Sequence, residues 1–399
     1  MQRECTGLKQ GGIRVAPTSP RRWLRVLVSI VALSVALSAC EGDAEKETKS
    51  KTYVANHMYT QQAGFIDIQA VNNSTGELAT STGTSAGLGV IPLSIAIHPT
   101  NKFLYVVNEN SGTISAYTVN KSSGALSVIA GSPFATSAGT PWVAAATPNG
   151  KFLVVAGNSG SAEVFKINGT TGALTSVVGS PFSTGSNTVS MVVHPNSKFV
   201  YLCQSNNPGT IEAYSINSSG TLTELGGSPY NTGGTNPPGI AIDAKGKYLY
   251  SANAGSNSVG IHAVDSSSGA LTAISGSPFG VSGNSPQFIA LDPKGRYAYL
   301  VYYTQTGSNL SAYGVDSSTG ELTELANSPY QPYASLGNRY STFVAVDPAG
   351  KYVYVASNFG SNGVDGFEVD QSTGDLSEIA GFPLTGLNTS WIAFTRKLK

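Results

Sequence analysis

The residues of this chain that could take part in chemistry are few, and they lie in polar segments between apolar runs. Glu109 is the one carboxylate there that could act as a general base. The other candidates could stack on a sugar or a peptide and hydrogen-bond it; they are His57, Tyr59, Trp142, Tyr302, Tyr303, Tyr333, Arg339, Tyr340, Phe359 and Trp391. The set predicts a ligand-binding site with one candidate catalytic residue.

Two interpretations stay open for the tryptophans. Trp142 and Trp391 stand at the starts of predicted strands, where large side chains either fill an interior or contact a ligand. For Tyr302, Tyr303 and Arg339, together with Tyr340, ligand contact is the preferred hypothesis. The expected ligand is an envelope glycan, a peptide or a protein.

The remaining reactive residue types have a structural explanation. A residue that accepts hydrogen bonds within a turn is expected at five related positions, His98, His194, Asp243, Asp292 and Asp347. His262 lies within a predicted strand and has no obvious partner. Metal sites need several converging ligands, and no such spacing occurs, so neither a metal nor another cofactor is predicted. No nucleophile elbow or phosphate-binding loop is evident.

Residues 1–39 are predicted to be a lipoprotein signal peptide. Arginines 14 to 25 precede an apolar run, Val26–Leu37, that is too short to span a bilayer. The run ends in Leu37-Ser38-Ala39-Cys40, which resembles a bacterial lipobox, in which cleavage precedes a cysteine that becomes acylated. An ordinary secretory signal with an incidental cysteine is the alternative.

The lipobox implies a chain that is exported and anchored by lipid to a bacterial membrane, at the periplasmic face or the cell surface. Residues 40–52 comprise Cys40, the lipid attachment site, and a charged flexible tether. The lipid is expected to be the only membrane contact.

The charge of the processed chain argues against nucleic acid as a partner. Removing residues 1–39 takes six of the 23 basic and one of the 23 acidic residues, which leaves 17 and 22, a net charge of −5. No Lys/Arg cluster remains in the sequence.

Cys203 is the one cysteine left after Cys40 and is expected to be a small buried hydrophobe. A monomer is expected.

A repeat must position all of these residues. Its unit is an apolar strand, a Pro-x-Gly-Lys-type turn, a second strand, a third strand and a Ser-Thr-Gly-x-Leu hairpin. The hairpin glycines recur every 48 to 54 residues, at Gly76, Gly124, Gly172, Gly220, Gly269, Gly320 and Gly374. Such a period predicts an all-β, seven-bladed β-propeller of four-stranded antiparallel blades over residues 53–395, followed by a tail, 396–399.

The two ends of the repeat region are out of phase with the blades. Tyr53-Val54-Ala55-Asn56 matches a second strand with no first strand before it, and Ser390–Thr395 matches a first strand with no second strand after it. Pairing these segments closes the ring and removes its exposed edges.

A second recurring motif, Gly-Ser-Pro-Phe, as at Gly131–Phe134, is called the tag. It is expected to end outer strands and to pack its aromatic residue between blades.

The repeat text, Pro-x-Gly-Lys-Tyr-x-Tyr-Val-x-Asn with Ser-x-Gly-x-Leu, resembles the seven-bladed lactonase family that includes bacterial 6-phosphogluconolactonase. It is also similar to the Tyr-Val-Thr-Asn repeats of surface-layer propellers. The resemblance spans residues 53–395 and implies His and Arg at the channel ends of the third, fourth and fifth first strands, where an activated water attacks a lactone. The matching positions here are Val189, Pro238-Gly239 and Asn284, which supply no base and no cation.

Three hypotheses follow. The first is a non-catalytic binding or interaction module at the cell envelope. The second is a lactone hydrolase similar to 6-phosphogluconolactonase whose site is rearranged around Glu109. The third is a purely structural role at the surface.

Overall fold

The computed structural model describes residues 53–62, 65–79, 88–89, 92–303, 310–331, 339–360, 363–385, 389 and 391–398. All of them belong to one compact unit, residues 52–399. They form 32 strands and no helix, so no helix in this part of the chain could cross a membrane. The predicted signal peptide, the tether with Cys40, and Tyr333 lie outside the described residues.

Seven antiparallel sheets form the blades. The chain starts with β1 (Tyr53–Gln62) and β2 (Phe65–Ala70). Blade 1 contains β3 (Pro92–Ile97), β4 (Phe103–Asn108), β5 (Thr113–Val119), β6 (Leu126–Val128) and β7 (Phe134–Ala135). Blade 2 contains β8 (Pro141–Ala146), β9 (Phe152–Gly157), β10 (Ser161–Ile167), β11 (Leu174–Ser176) and β12 (Phe182–Ser183). Blade 3 contains β13 (Thr188–Val193), β14 (Phe199–Gln204), β15 (Thr210–Ile216), β16 (Leu222–Glu224) and β17 (Tyr230–Asn231).

The later blades repeat this order. Blade 4 contains β18 (Gly239–Ile242), β19 (Tyr248–Asn253), β20 (Ser258–Val264), β21 (Leu271–Ala273) and β22 (Phe279–Gly280). Blade 5 contains β23 (Pro286–Leu291), β24 (Tyr297–Tyr302), β25 (Leu310–Val315) and β26 (Leu322–Glu324). Blade 6 contains β27 (Arg339–Val346), β28 (Tyr352–Gly360), β29 (Gly363–Val369), β30 (Leu376–Glu378) and β31 (Leu384–Thr385). Blade 7 joins β32 (Ile392–Leu398) to β1 and β2.

Blade 7 confirms the predicted closure of the ring, since the last strand pairs with the first. β32 lies antiparallel to β1, with Tyr53 opposite Leu398 and Thr60 opposite Ile392. Residues 396–398, which the sequence assigned to a tail, continue this strand because β1 extends far enough to pair with them.

The sequence match of Tyr53 with the repeat tyrosine was wrong by six residues. In every blade except blade 2, which has Val154 at this position, the repeat tyrosine of the second strand donates its hydroxyl to the carbonyl of the hairpin glycine in the next blade, as Tyr105 does to Gly172 at 2.9 Å. In β1 it is Tyr59 that makes this bond, to Gly124 at 2.9 Å. Tyr53–Asn56 lengthens β1 beyond the usual start of a second strand, because no turn connects it to β32.

The hairpin glycines are required for two reasons. Each has a φ between 73° and 92°, where L-residues with a side chain are strained. A Cβ on any of them would also collide with the aromatic ring at the start of the preceding blade's second strand; for Gly269 this is the ring of Phe199. Close approach of the backbone to this ring locks neighbouring blades together.

Gly269→Ala is therefore expected to lower the free energy of unfolding by about 2–4 kcal/mol, from backbone strain and overpacking together. Urea unfolding followed by circular dichroism measures the change. Gly226→Ala is the matched control, since Gly226 has open space around its Cα. Equal midpoints for the two variants would contradict this explanation of the repeat glycine.

The core is divided among the seven blade interfaces. One buried apolar cluster lies between each pair of neighbouring blades, including blades 7 and 1. The tag aromatics pack against these clusters, as predicted, with Phe134 between blades 1 and 2 and Phe182 between blades 2 and 3. Cys203 is a free, buried thiol in the cluster between blades 3 and 4, and burial raises its pKa.

Two surfaces follow from this topology. The loops that connect second to third strands, and those that lead into each first strand, form one face of the ring, which we call the mouth face. The turns between first and second strands and the hairpin tips between third and fourth strands form the opposite face, the turn face.

Candidate functional site

A cavity of about 320 Å³ lies where the first strands of all seven blades converge. Each first strand contacts its two neighbours around the ring. Among the described residues, the lining consists of Leu93, Trp142, Val189, Pro238, Gln287, Phe288, Thr342, Phe343 and Trp391. Every blade contributes at least one of these residues, and none of them is ionisable.

Local irregularities of the first strands place these side chains. In five blades the pairing of first with second strand shifts at the residue that lines the cavity; these residues are Leu93, Trp142, Val189, Gln287 and Thr342. A β-bulge re-aims the side chain of the unpaired residue. The bulge therefore explains why side chains at the starts of these strands face the cavity.

One wall of the cavity is aromatic. The rings of Phe288 and Phe343 lie 4.3 Å apart, and Trp391 lies 4.5 Å from Phe343 at an interplanar angle of 30°. Trp142 is half-buried and lines the same cavity. The structure thus places Trp391 in a packed aromatic cluster and brings both tryptophans to one cavity, so filling and ligand contact are compatible.

Two polar side chains from neighbouring blades interrupt the apolar lining. The Nε2 of Gln287 donates to the carbonyl and the hydroxyl of Ser285, both at 3.0 Å. The Oγ1 of Thr342 is buried and has no hydrogen-bond partner among the described residues. A buried hydroxyl without a partner is costly, and a ligand hydroxyl would satisfy it.

Three predicted binding residues lie inside the blade packing. His57 occupies the position that Phe103 holds in blade 1, with its ring against Gly124, and burial lowers its pKa. Tyr59 is the repeat tyrosine described above. Tyr302 is fully buried, shares a hydrogen bond of 2.9 Å with the Tyr313 hydroxyl, and has its pKa raised by burial. These side chains offer no surface to a ligand at the mouth face, which corrects their assignment to the site.

The other predicted site residues either lie on the mouth face outside the cavity lining or have side chains that the structure does not describe. Tyr303 follows β24 on the mouth face and is 41% exposed, and its N–H donates to the Ser285 carbonyl at 2.9 Å. Glu109 is half-buried in the loop after β4 and is not part of the cavity lining. Arg339 and Tyr340 begin β27 and Phe359 lies in β28, but their side chains fall outside the described residues.

A group of asparagines at the rim was missed from the sequence. Asn187, Asn206, Asn236, Asn257 and Asn284 lie in mouth-face loops of blades 3 to 5. The Nδ2 of Asn187 donates to the Oδ1 of Asn206 at 2.7 Å, and that of Asn257 donates to Asn284 at 3.3 Å. The sequence feature that could have indicated this group is an Asn shortly before the first strand of each of these blades. Two of these residues, Asn187 and Asn236, have a positive φ. Amides of this kind can donate to and accept from sugar hydroxyls.

The turn residues confirm the structural interpretation of the histidines. The Nδ1 of His98 accepts the Thr100 N–H at 3.2 Å, and its Nε2 donates to the Gly150 carbonyl of blade 2 at 2.9 Å. At the related position, Asp347 accepts the N–H of Ala349 at 3.0 Å and of Tyr352 at 2.8 Å. Among the described residues, no three His, Cys, Asp or Glu side chains are grouped as metal ligands.

Burial lowers the pKa of His98 and of His262. The unfolded chain then binds more protons than the folded one at mildly acidic pH, so stability is full above about pH 6.5 and falls as pH drops toward the folded pKa. His98→Thr, which copies Thr147 of blade 2, should reduce the loss of unfolding free energy between pH 7.5 and 5.5, because it removes one group whose pKa is lowered in the folded state. Urea unfolding at both pH values tests this. An unchanged pH dependence would show that His98 does not contribute.

Comparison with known proteins agrees with this architecture. A family model described as "Lactonase, 7-bladed beta-propeller" matches residues 46–140 and 190–336. A putative 6-phosphogluconolactonase from Bacteroides fragilis is 22% identical, with a TM-score of 0.71 over 88% of this chain and 100% of that one. A periplasmic gluconolactonase from Pseudomonas aeruginosa is 18% identical, with a TM-score of 0.69 over 87% of this chain and 100% of that one. No curated protein matches in sequence.

Proposed function

The chain belongs to the seven-bladed β-propeller lactonase family, and from that premise we propose that it binds a neutral carbohydrate in the channel cavity without hydrolysing it. The protein acts as a binding module at the bacterial cell envelope, where acylated Cys40 anchors it. Its ligand is a glycan of that envelope.

The lining of the cavity carries this proposal. Aromatic faces from Trp142, Trp391 and Phe343 suit the apolar face of a sugar ring, and the Thr342 hydroxyl and the Gln287 amide suit its hydroxyls. The cavity volume falls within the usual range for small-ligand sites. Val189 and Pro238 stand where the family resemblance implies His and Arg, and both line the cavity, so neither a base nor a cation faces it from those blades.

The described side chains of the mouth face favour a neutral ligand; the side chain of Arg339, at the start of β27, lies outside them. No Lys or Arg side chain that the structure describes lies on this face. Phosphate and carboxylate groups are usually bound by such cations or by a helix N-terminus. A phosphorylated sugar would therefore bind more weakly than the same sugar without phosphate.

Tryptophan emission gives a direct test. The chain contains three tryptophans, of which Trp23 lies in the predicted signal peptide and the other two line the cavity. The chain from residue 40 is titrated with neutral disaccharides, including di-N-acetylglucosamine, and with sugar 6-phosphates. A saturable change with at least one neutral sugar and none with the phosphates is expected. No change across the panel, or a response only to phosphates, would overturn the proposal.

Lactone hydrolysis is the second candidate, and family membership favours it. Similar solved structures are described as a putative 6-phosphogluconolactonase and a gluconolactonase. Glu109 lies on the mouth face and is the base that such an activity would use here. Turnover of glucono-1,5-lactone above the spontaneous rate that falls on Glu109→Gln would establish this function instead.

A further inference from the structure

The basic side chains that the structure describes all lie on the turn face. They stand in turns, at hairpin tips or at the adjoining strand ends, at Lys102, Lys121, Lys151, Lys166, Lys198, Lys245, Lys247, Lys294, Arg296, Lys351 and Arg396. They come from all seven blades, and the ring brings them to one surface. The described basic side chains therefore belong to the turn face, where acidic residues lie as well.

Acidic residues divide the turn face into two halves. The hairpin tips of blades 4 to 6 begin with Asp265, Asp316 and Asp370, whereas those of blades 1 to 3 begin with Asn120, Asn168 and Asn217. Both residue types do the same structural work, since Oδ1 accepts the N–H groups two and three residues ahead in Asn120 as in Asp265. The turn does not need the negative charge, so its omission from blades 1 to 3 leaves that half uncompensated.

The basic side chains are also used differently in the two halves. In blades 4 to 6, Lys247 donates to the carbonyls of Ser317 and Ser318, and Arg296 pairs with Asp292 at 2.8 Å. In blades 1 to 3, the Nζ atoms of Lys102, Lys151 and Lys198 have no hydrogen-bond or ion-pair partner among the described residues. We call Lys102, Lys121, Lys151, Lys166, Lys198 and Arg396 the cationic half.

A pocket of about 550 Å³ opens at the edge of the cationic half. It lies where blade 7 has no turn between its first and second strands, because the two ends of the chain meet there. Lys121, Arg396, Asn101 and Ser122 line it. It combines cationic and neutral hydrogen-bonding groups, as an anionic headgroup requires.

The ends of the described chain indicate which partner this surface meets. β1 begins at Tyr53 and β32 ends at Leu398, both on the turn face beside the pocket. Cys40 precedes Tyr53 by 13 residues, which span at most about 45 Å when fully extended. A lipid on Cys40 therefore keeps the turn face within that reach of a membrane.

We propose that the cationic half is a docking surface for anionic phospholipid headgroups, which adds a second membrane contact to the lipid anchor. Docking turns the mouth face and its cavity away from the bilayer and toward envelope glycans. The inference rests on the proposed anchoring of Cys40 for the distance between the turn face and the membrane. For the affinity of the cationic half for headgroups it rests on the charge distribution alone.

The test measures binding to vesicles without the anchor. The chain from residue 40 carrying Cys40→Ser is mixed with phosphatidylcholine vesicles that contain 30% phosphatidylglycerol, and binding is measured by sedimentation. Each lysine near an anionic surface strengthens binding roughly fivefold, so Lys102→Gln/Lys151→Gln/Lys198→Gln should weaken it about 100-fold. Pure phosphatidylcholine vesicles or 0.5 M salt should abolish it, because salt screens exposed charges.

A matched variant from the other half is the control. Lys245→Gln/Lys247→Gln/Lys294→Gln removes the same charge and is expected to weaken binding less than about fivefold in total. Equal losses in the two variants, absent binding by the parent chain, or equal binding to neutral vesicles would overturn the proposal. Equal or tighter binding to a single-stranded 30-nucleotide DNA would also overturn it. Palmitate labelling of Cys40 in cells tests the anchor separately, so failure of one does not imply failure of the other.

Discussion

Removal of residues 392–399 is expected to abolish the cooperative unfolding of the propeller. β32 is the inner strand of blade 7, and it contributes Ile392 and Phe394 to the cluster between blades 6 and 7. Without it, β1 becomes an exposed edge and two of the seven blade interfaces lose packing. The free energy of unfolding of natural domains is only about 5–15 kcal/mol. We expect the lost packing at two interfaces to exceed this margin, so that no stable ring remains. Thermal unfolding by circular dichroism measures it.

A permuted chain is the matched control for this deletion. Thr395 stands opposite His57, where blade 2 has Thr147 and Phe152 joined by the turn Pro148–Lys151. Placing residues 391–395 before His57, with this turn sequence between them, should restore the truncated chain to within a few degrees of the parent melting temperature. A truncated chain that melts at the parent temperature would contradict closure of the ring by β32.

Trp142→Ala is expected to weaken binding of the neutral sugar by about 10- to 100-fold. Stacking of a ring on an aromatic residue contributes about 1–3 kcal/mol, and Trp142 presents a half-buried face to the cavity without belonging to the aromatic pairs around Phe343. Isothermal calorimetry gives the affinity. Val178→Ala, at a side chain that is 94% exposed, is the control for an apolar truncation outside the cavity. Unchanged affinity in Trp142→Ala would place the ligand elsewhere.

The repeat was sufficient to predict the fold. Blade number, strand order and closure all follow from the hairpin glycines and from the phase of the two chain ends, and the structure confirms them. The error at Tyr53 has a physical cause. Tyr53–Asn56 and His57–Gln62 lie in one long strand, in which the hydrogen bond from Tyr59 to Gly124 and the contact of the His57 ring with Gly124 distinguish the repeat positions from the extension.

The site was harder to predict because it depends on departures from regular pairing. Trp142 and Trp391 were among the candidates, but the cavity residues Gln287 and Thr342 were not, since a β-bulge and not a residue type turns them inward. The prediction at His57 was also based on residue type. A histidine suggests a functional role, but His57 takes the place of a packing aromatic residue such as Phe103 in blade 1. The cationic half was not predicted, because its residues come from separate blades and its turn lysines, Lys102, Lys151 and Lys198, are about 50 residues apart in the sequence.

Glucono-1,5-lactone distinguishes binding from hydrolysis in one experiment. The chain from residue 40 is mixed with the lactone, tryptophan emission reports occupancy of the cavity, and acid release reports ring opening. We expect a saturable change in emission while acid release stays at the spontaneous rate, in the parent chain and in Glu109→Gln alike. Accelerated release that is lost in Glu109→Gln would contradict it and would make the protein a lactonase.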